Sequence, residues 1–126
     1  MSDMGIFRTT IAISRDFPAT RLRSLDNVMV DTGAEYSWIP AAVLGELGIA
    51  RVKVRRFITA DGRVVERSAG YGFVHAAGEA SPTVLIFGEA GDQTLLGAHG
   101  LEGMNLRVDL VAKRLIAAGP IPAAAA

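Results

Sequence analysis

The sequence contains no cysteine among its 126 residues. That absence excludes a disulfide framework, a thiolate nucleophile and a cysteine-based zinc site. The sequence also lacks an excess of charge of one sign, because 13 lysines and arginines balance 13 aspartates and glutamates. A chain with no net charge has no overall field to attract nucleic acid or an anionic membrane. We therefore expect neither as a partner.

Long apolar runs are missing as well. No stretch approaches the roughly 20 apolar residues that a membrane-spanning helix needs, and residues 1–5 lack the basic-then-apolar order of a signal peptide. We therefore expect a soluble, unprocessed, cytoplasmic protein. At this length, a hydrophobic content of 50% suits one compact domain and excludes a two-domain enzyme.

Histidine is scarce, and the two that are present give no sign of a metal site. His75 and His99 are far apart in sequence and have no cluster of carboxylates beside them. A catalytic metal needs several such ligands together, so we predict no metal. His75 follows an apolar pair, and we expect it to be a surface residue at the end of a strand.

Short runs of β-branched and apolar residues, separated by Gly, Pro, Asp or Asn, make up most of the sequence and predict an all-β domain. Residues 7–13 alternate as a half-buried strand does, and residues 24–30 end in an apolar, buried stretch. The alternation within residues 51–59 breaks at Arg56, which predicts either a bulge nearby or a paired Arg56. Further strands are predicted at residues 71–76, 83–87, 93–96, 106–109 and 114–116.

Two short helices and one tight hairpin are also predicted. Pro40 can begin a helix that Gly48 ends, and residues 98–104 are expected to form one or two further helical turns. Asp61-Gly62 is typical of a two-residue type I′ turn, which would join residues 57–60 to residues 63–67. We assign residues 1–117 to the domain and residues 118–126 to an irregular tail rich in Pro and Ala.

The most informative segment is Asp31-Thr32-Gly33, which follows the buried end of a predicted strand. Gly33 has no side chain, so backbone amides can approach the Asp31 carboxylate and hold it in a fixed orientation. Taken alone, the tripeptide is more typical of a β-turn capped by an Asp side chain. The surrounding sequence has to decide between these two interpretations.

The order of motifs resembles that of the single-domain, retropepsin-like aspartic proteases. In that family an Asp-Thr-Gly loop is followed by a hairpin called the flap, then by two apolar residues with glycine, and then by a short helix. Here the same order is Asp31-Thr32-Gly33, the hairpin at residues 61–62, Leu95-Leu96-Gly97 and the predicted helix at residues 98–104. The resemblance implies a small, closed, mostly antiparallel β-barrel with one or two short helices.

The resemblance also implies a mechanism that needs two chains. Aspartic protease chemistry uses two facing carboxylates, and this sequence has one Asp-Thr-Gly, so Asp31 of each protomer of a homodimer would be catalytic. Two such carboxylates share one proton. One then draws a proton from a water molecule that attacks the peptide carbonyl, while the other donates a hydrogen bond to the carbonyl oxygen. The expected substrate is an extended peptide or protein, and no metal or organic cofactor is required.

Other residues take their roles from the same resemblance. Gly33 and Ala34 would line the substrate, and the flap residues Thr59, Ala60, Asp61 and Gly62 would bind it by adding a strand. Thr32, Leu96 and Gly97 would support the active-site loop, with Thr32 reaching towards the loop of the partner chain.

Two other functions fit parts of the sequence. A non-catalytic protein-interaction or dimerisation module is compatible with the same fold. A nucleic-acid or acidic partner is the third possibility, although basic residues that alternate along a strand usually form a solvated face that discourages edge pairing. Its starting point is the basic run Arg51, Lys53, Arg55, Arg56, Arg63 and Arg67.

Overall fold

The computed structural model describes residues 6–125. Residues 1–5, where we expected no signal peptide and where the predicted domain begins, and Ala126 of the predicted tail lie outside that range. Most of the regular structure is β-sheet, as the sequence predicted. In chain order the elements are β1 Phe7–Ser14, β2 Arg23–Val30, β3 Ser37–Pro40, α1 Ala41–Glu46, β4 Lys53–Ile58, β5 Val64–Ala76, β6 Glu79–Gly88, β7 Leu95–Leu96, α2 Ala98–Gly103, β8 Leu106–Asp109 and β9 Arg114–Ala117.

Seven strands form one sheet in the order β1-β2-β7-β3-β6-β5-β4, and β1 also pairs with β5. The sheet is mixed, because β2 runs parallel to β7 and β3 runs parallel to β6. Strands β8 and β9 form a separate two-stranded sheet. Residues 118–125 have no regular secondary structure. Between residues 6 and 125, neither short helix has the length or apolar character to cross a membrane.

The predicted alternation of β1 is confirmed by burial. Phe7, Ile11 and Ile13 point into the core, where Ile11 and Ile13 are at most 1% exposed. The helix predicted after Pro40 is also present, and Leu44 packs into the same core. Gly48 ends that helix with φ +75°, a conformation that glycine adopts without steric cost.

One long strand, β5, replaces two predicted ones. Its first residues pair with β4 from Val64 to Ala69, and its ladder with β6 begins at Ala69 and continues to Ala76. Gly70 and Gly72 allow the backbone of β5 to pack closely against neighbouring residues. A Cβ on Gly70 would lie 2.4 Å from the carbonyl oxygen of Ala50.

The type I′ turn lies at a different hairpin from the predicted one. Ala77 and Gly78, between β5 and β6, have φ values of +50° and +80°, and a type I′ turn requires positive φ at both central residues. At Asp61-Gly62 the prediction is wrong. There Gly62 has φ +86° while Asp61 does not have a positive φ. Thr59 N–H donates to Arg63 O at 2.8 Å, which closes a three-residue loop with its glycine in the left-handed region.

The register of β4 decides between the two explanations offered for Arg56. The β4–β5 ladder runs without a shift from Lys53 to Ile58, so the predicted bulge is absent. Arg56 instead lies opposite Glu66, with Nε and Oε2 4.0 Å apart. Both side chains are well exposed, so this ion pair contributes little to stability.

Candidate active site

Asp31 occupies the first position after β2, where the neighbouring strand fixes its backbone. Its N–H donates to the Leu96 carbonyl oxygen at 2.9 Å, continuing the parallel β2–β7 pairing. The Gly33 N–H donates to Asp31 Oδ1 at 2.9 Å, and a Cβ on Gly33 would lie only 3.2 Å from that oxygen. The half-buried carboxylate is therefore oriented by its own turn, as the sequence predicted.

The loop that carries Asp31 is bound from behind by the segment at Gly97. Gly97 N–H donates to the buried hydroxyl oxygen of Ser37 at 3.0 Å, and Ala98 N–H donates to the Ala34 carbonyl oxygen at 2.8 Å. Leu96 is fully buried beside them. The structure thus brings Leu96 and Gly97 against the segment that carries Asp31. Ser37 was missed, because nothing in its local sequence distinguishes a buried serine from an exposed one.

A groove of about 490 Å³ opens above Asp31. Asp31, Trp38 and Leu95 line it together with two other segments, called its walls below. The hairpin between β4 and β5 supplies one wall, and the loop between β6 and β7 supplies the other. The wall residues are Ile58, Thr59 and Ala60 on the hairpin and Gly91, Asp92 and Gln93 on the loop.

The predicted substrate-binding residues are only partly brought together. Thr59 and Ala60 line the groove, whereas Asp61 and Gly62 lie beyond it at the exposed tip of the hairpin. The Thr59 hydroxyl and the Arg63 guanidinium both bind the Asp61 carboxylate and lower its pKa. Asp61 is thereby engaged within the hairpin.

Three remaining residues of the Asp31 loop lie beside this groove and are not among its lining residues. Gly33 and Ala34 form the turn itself. Thr32 is exposed and lines a second groove of about 330 Å³, together with α2 and β8 residues such as Leu101 and Val108.

The hairpin is held against the rest of the protein by side chains that the sequence analysis did not connect. The rings of Phe57 and Trp38 meet edge to face with centroids 4.9 Å apart, and the Arg55 guanidinium lies 5.2 Å from the centre of the Tyr36 ring. A further contact joins Arg67 of the hairpin to Asp92 in the loop between β6 and β7. Aromatic and basic residues far apart in sequence give no local signal for such contacts.

Arg67 binds Asp92 through two parallel hydrogen bonds. Nε donates to Oδ2 at 2.7 Å and Nη2 donates to Oδ1 at 2.9 Å. The Glu89 N–H also donates to Asp92 Oδ2 at 2.7 Å. These bonds lower the pKa of Asp92, and the Asp92 carboxylate in turn raises the pKa of Arg67. Asp92 is therefore a second carboxylate lining the groove, already paired with a cation.

The basic run does not form one face. Arg67 is paired with Asp92, Arg63 binds Asp61, and the Arg51 guanidinium lies 4.5 Å from the centre of the Phe87 ring. With Arg55 on Tyr36 and Arg56 opposite Glu66, the positive charges point in several directions.

His75 makes more contacts than a surface residue would, in contrast to the prediction. It is half-buried in β5, its Nε2 lies 2.8 Å from Oγ of Ser14, and it stacks on Phe17. Burial lowers the pKa of His75. Ser14 is fully buried and donates its hydroxyl proton to the Asp16 carbonyl oxygen, so it is not presented as a nucleophile. Across residues 6–125, no three side chains of the types His, Asp and Glu are grouped to hold a metal ion.

Comparison of the sequence with protein-family models and with curated proteins finds no match.

Proposed function

We propose that the chain is an aspartic endopeptidase of the retropepsin-like type that acts as a homodimer, with Asp31 of each protomer as a catalytic residue. One observation carries the proposal. Asp31, whose carboxylate is oriented by the Gly33 N–H, lines a groove together with Ile58, Thr59 and Ala60 of a hairpin. A carboxylate can activate a water molecule, and a hairpin beside it can bind an extended peptide by adding a strand, so the groove combines two requirements of peptide hydrolysis.

The strand pairing supports a closed barrel for this domain. In the order β1-β2-β7-β3-β6-β5, the first and last strands also pair with each other, through Ala12 with His75 and Ser14 with Phe73. Pairing between the first and last strands is what closure of a sheet into a barrel requires. The closed sheet would leave the β4–β5 hairpin projecting beside Asp31, as a flap does.

The chemistry assigns a separate task to each of the two carboxylates. An ionised Asp31 accepts a proton from a water molecule whose oxygen bonds to the peptide carbonyl carbon. The protonated Asp31 of the partner protomer donates a hydrogen bond to the carbonyl oxygen. The C–N bond then breaks and the leaving nitrogen takes a proton from the carboxylate pair. The Thr59 backbone is already bonded within the hairpin, so the backbone of Ala60, which also lines the groove, would pair with the extended peptide.

Cleavage of a mixed peptide library by the purified protein tests the proposal. We expect wild-type protein to cleave peptides and the Asp31→Asn variant to lose cleavage by at least about a hundredfold, because the general base is removed. Asp26→Asn, an exposed site on β2, the strand that leads to Asp31, should cleave like wild type. Cleavage that survives in Asp31→Asn would overturn the assignment.

Mixing the two proteins tests the dimer. When Asp31→Asn protein is added in excess to a fixed amount of wild type, most wild-type chains should pair with an inactive partner. Cleavage per wild-type chain should then fall, whereas excess Asp26→Asn protein should not lower it. Undiminished cleavage by a protein that sediments as a monomer would contradict a mechanism that uses two copies of Asp31.

A further inference from the structure

We propose that Arg67 and Asp92 are positioning residues that hold the hairpin ribbon at a fixed distance across the Asp31 groove. The hairpin ribbon consists of β4, the intervening turn and residues 64–68 of β5. The proposal rests on the proposed function, since it assigns the pair a role in binding the peptide at that site.

The sheet does not by itself fix the position of the hairpin ribbon. Among the described residues, β4 pairs with β5 alone, and residues 64–68 of β5 pair with β4 alone. The ladder that joins β5 to β6 begins only at Ala69. Side-chain contacts on the inner face of the ribbon must therefore set its distance from the groove.

Of these contacts, which also include an Arg67–Glu89 ion pair at 3.7 Å, the Arg67–Asp92 pair is the most directional. The Trp38–Phe57 and Arg55–Tyr36 contacts involve ring faces and edges, which tolerate sliding. A bidentate guanidinium–carboxylate pair fixes both distance and angle. The two side chains are only 15% and 17% exposed, so solvent screens the pair less than the other ion pairs of the hairpin.

Both ends of this pair are themselves fixed to a wall of the groove. Arg67 belongs to the ribbon, and its Nη1 donates to the Glu66 carbonyl oxygen at 2.8 Å. Asp92 accepts the Glu89 N–H, and its own N–H donates to the Glu89 carbonyl oxygen at 2.9 Å. Asp92 lies in one wall, and Arg67, opposite Arg55, lies in the ribbon whose tip forms the other wall, so the pair would set the separation of the two walls.

The Asp31 loop is held by different bonds, which separates peptide binding from the chemical step. Ser37, Gly97 and Ala98 bind that loop from behind and do not contact the ribbon through any of these bonds. Breaking the Arg67–Asp92 pair should therefore weaken peptide binding while leaving the reacting groups in place. A change in KM with little change in kcat is the expected signature.

Three variants test the pair: Arg67→Met, Asp92→Asn and the double variant. With a peptide that wild type cleaves, each single variant should raise KM by about tenfold and change kcat by less than about twofold. Because the two residues act as a unit, the double variant should be no worse than the worse single variant. Arg56→Met, on the same ribbon but exposed and 4.0 Å from its partner, is the matched control and should behave as wild type.

A second measurement does not depend on catalysis. Trp38 is the one tryptophan in the sequence, lines the groove and touches Phe57 of the ribbon. Without peptide, acrylamide should quench its fluorescence more strongly in Arg67→Met and Asp92→Asn than in wild type or Arg56→Met. Urea unfolding of each variant, with Asp92→Asn as the nearly isosteric change, separates this effect from loss of the fold.

The outcomes distinguish the two proposals. If wild type cleaves no peptide but quenching rises in both variants, the proposed function fails and the positioning of the ribbon stands. If cleavage depends on Asp31 while KM and quenching are unchanged in folded Arg67→Met and Asp92→Asn, the function stands and the positioning role is wrong. A fall in kcat at unchanged KM would also overturn the positioning role.

Discussion

A Cβ built on Gly97 would lie 2.5 Å from the carbonyl oxygen of Tyr36 and 2.9 Å from that of Ala34. The segment after β7 and the loop that carries Asp31 therefore touch backbone to backbone. No side chain fits at this contact, although Leu96 and Ala98 on either side tolerate theirs. The position of the Asp31 loop thus depends on the absence of a side chain at Gly97.

We expect Gly97→Ala to lower the free energy of unfolding by more than about 2 kcal/mol, because backbone atoms must move to admit the new carbon. Gly45→Ala is the control. Gly45 lies in α1 with nothing within 4 Å of an added Cβ, so alanine should stabilise the protein by about 0.5–1 kcal/mol there. Urea denaturation measures both. Equal stabilities for the two variants would refute the close contact at Gly97.

Ser37→Ala should remove the acceptor of the Gly97 N–H in a buried location. An unpaired buried donor costs about 1–3 kcal/mol, and we expect a loss of stability of that size. Ser24→Ala, on the exposed face of β2, should change stability by less than about 0.5 kcal/mol. Thermal unfolding monitored by circular dichroism would compare them, and a loss at Ser24 as large as that at Ser37 would count against the bond.

Ala77→Asn should stabilise the protein by about 0.5–1 kcal/mol, because asparagine tolerates the left-handed conformation better than alanine does. Ala77 has φ +50° in the turn between β5 and β6. The same substitution at Ala90, an exposed loop residue without a positive φ, provides the control and should give no gain. Chemical denaturation in which Ala90→Asn gains as much stability as Ala77→Asn would contradict the turn assignment.

Because of His75, the free energy of unfolding should be smaller in acid. Burial lowers its pKa in the folded protein below the ordinary value of 6.5, so the unfolded chain binds more protons in the window between the two pKa values. Stability therefore rises with pH through that window and is lost as the pH falls below 6.5.

The His75→Gln variant isolates this effect. As the pH rises towards 6.5, wild type should gain stability relative to His75→Gln, and above that pH the difference should stay constant. Urea unfolding at several pH values measures the difference, and a constant offset between wild type and His75→Gln would show that His75 is not responsible.

Features encoded by neighbouring residues were predictable from the sequence. The alternation of β1, the proline and glycine at the ends of α1, and the strand-to-turn step at Asp31 each involve a few consecutive residues, and the structure has all three. The placement of Leu96 and Gly97 behind the Asp31 loop also followed from the order of the motifs.

Features that depend on distant partners were not predictable. Strand β3 was missed because it is defined by parallel pairing with β6, through Trp38 with Ile86. The continuity of β5 depends on pairing with two different strands, β4 and β6, which no local pattern indicates. Arg67 and Asp92 are 25 positions apart, so only the folded chain joins them.

The pairing of β1 with β5 has a consequence for how the chain assembles. Ser14 and His75, which meet across this junction, are 61 positions apart in sequence. Bringing such remote segments together carries an entropic cost before any contact rewards it, and folds dominated by such contacts reach the native state slowly. During synthesis, β1 must therefore wait until the 61 positions between Ser14 and His75 have been added before it can pair with β5.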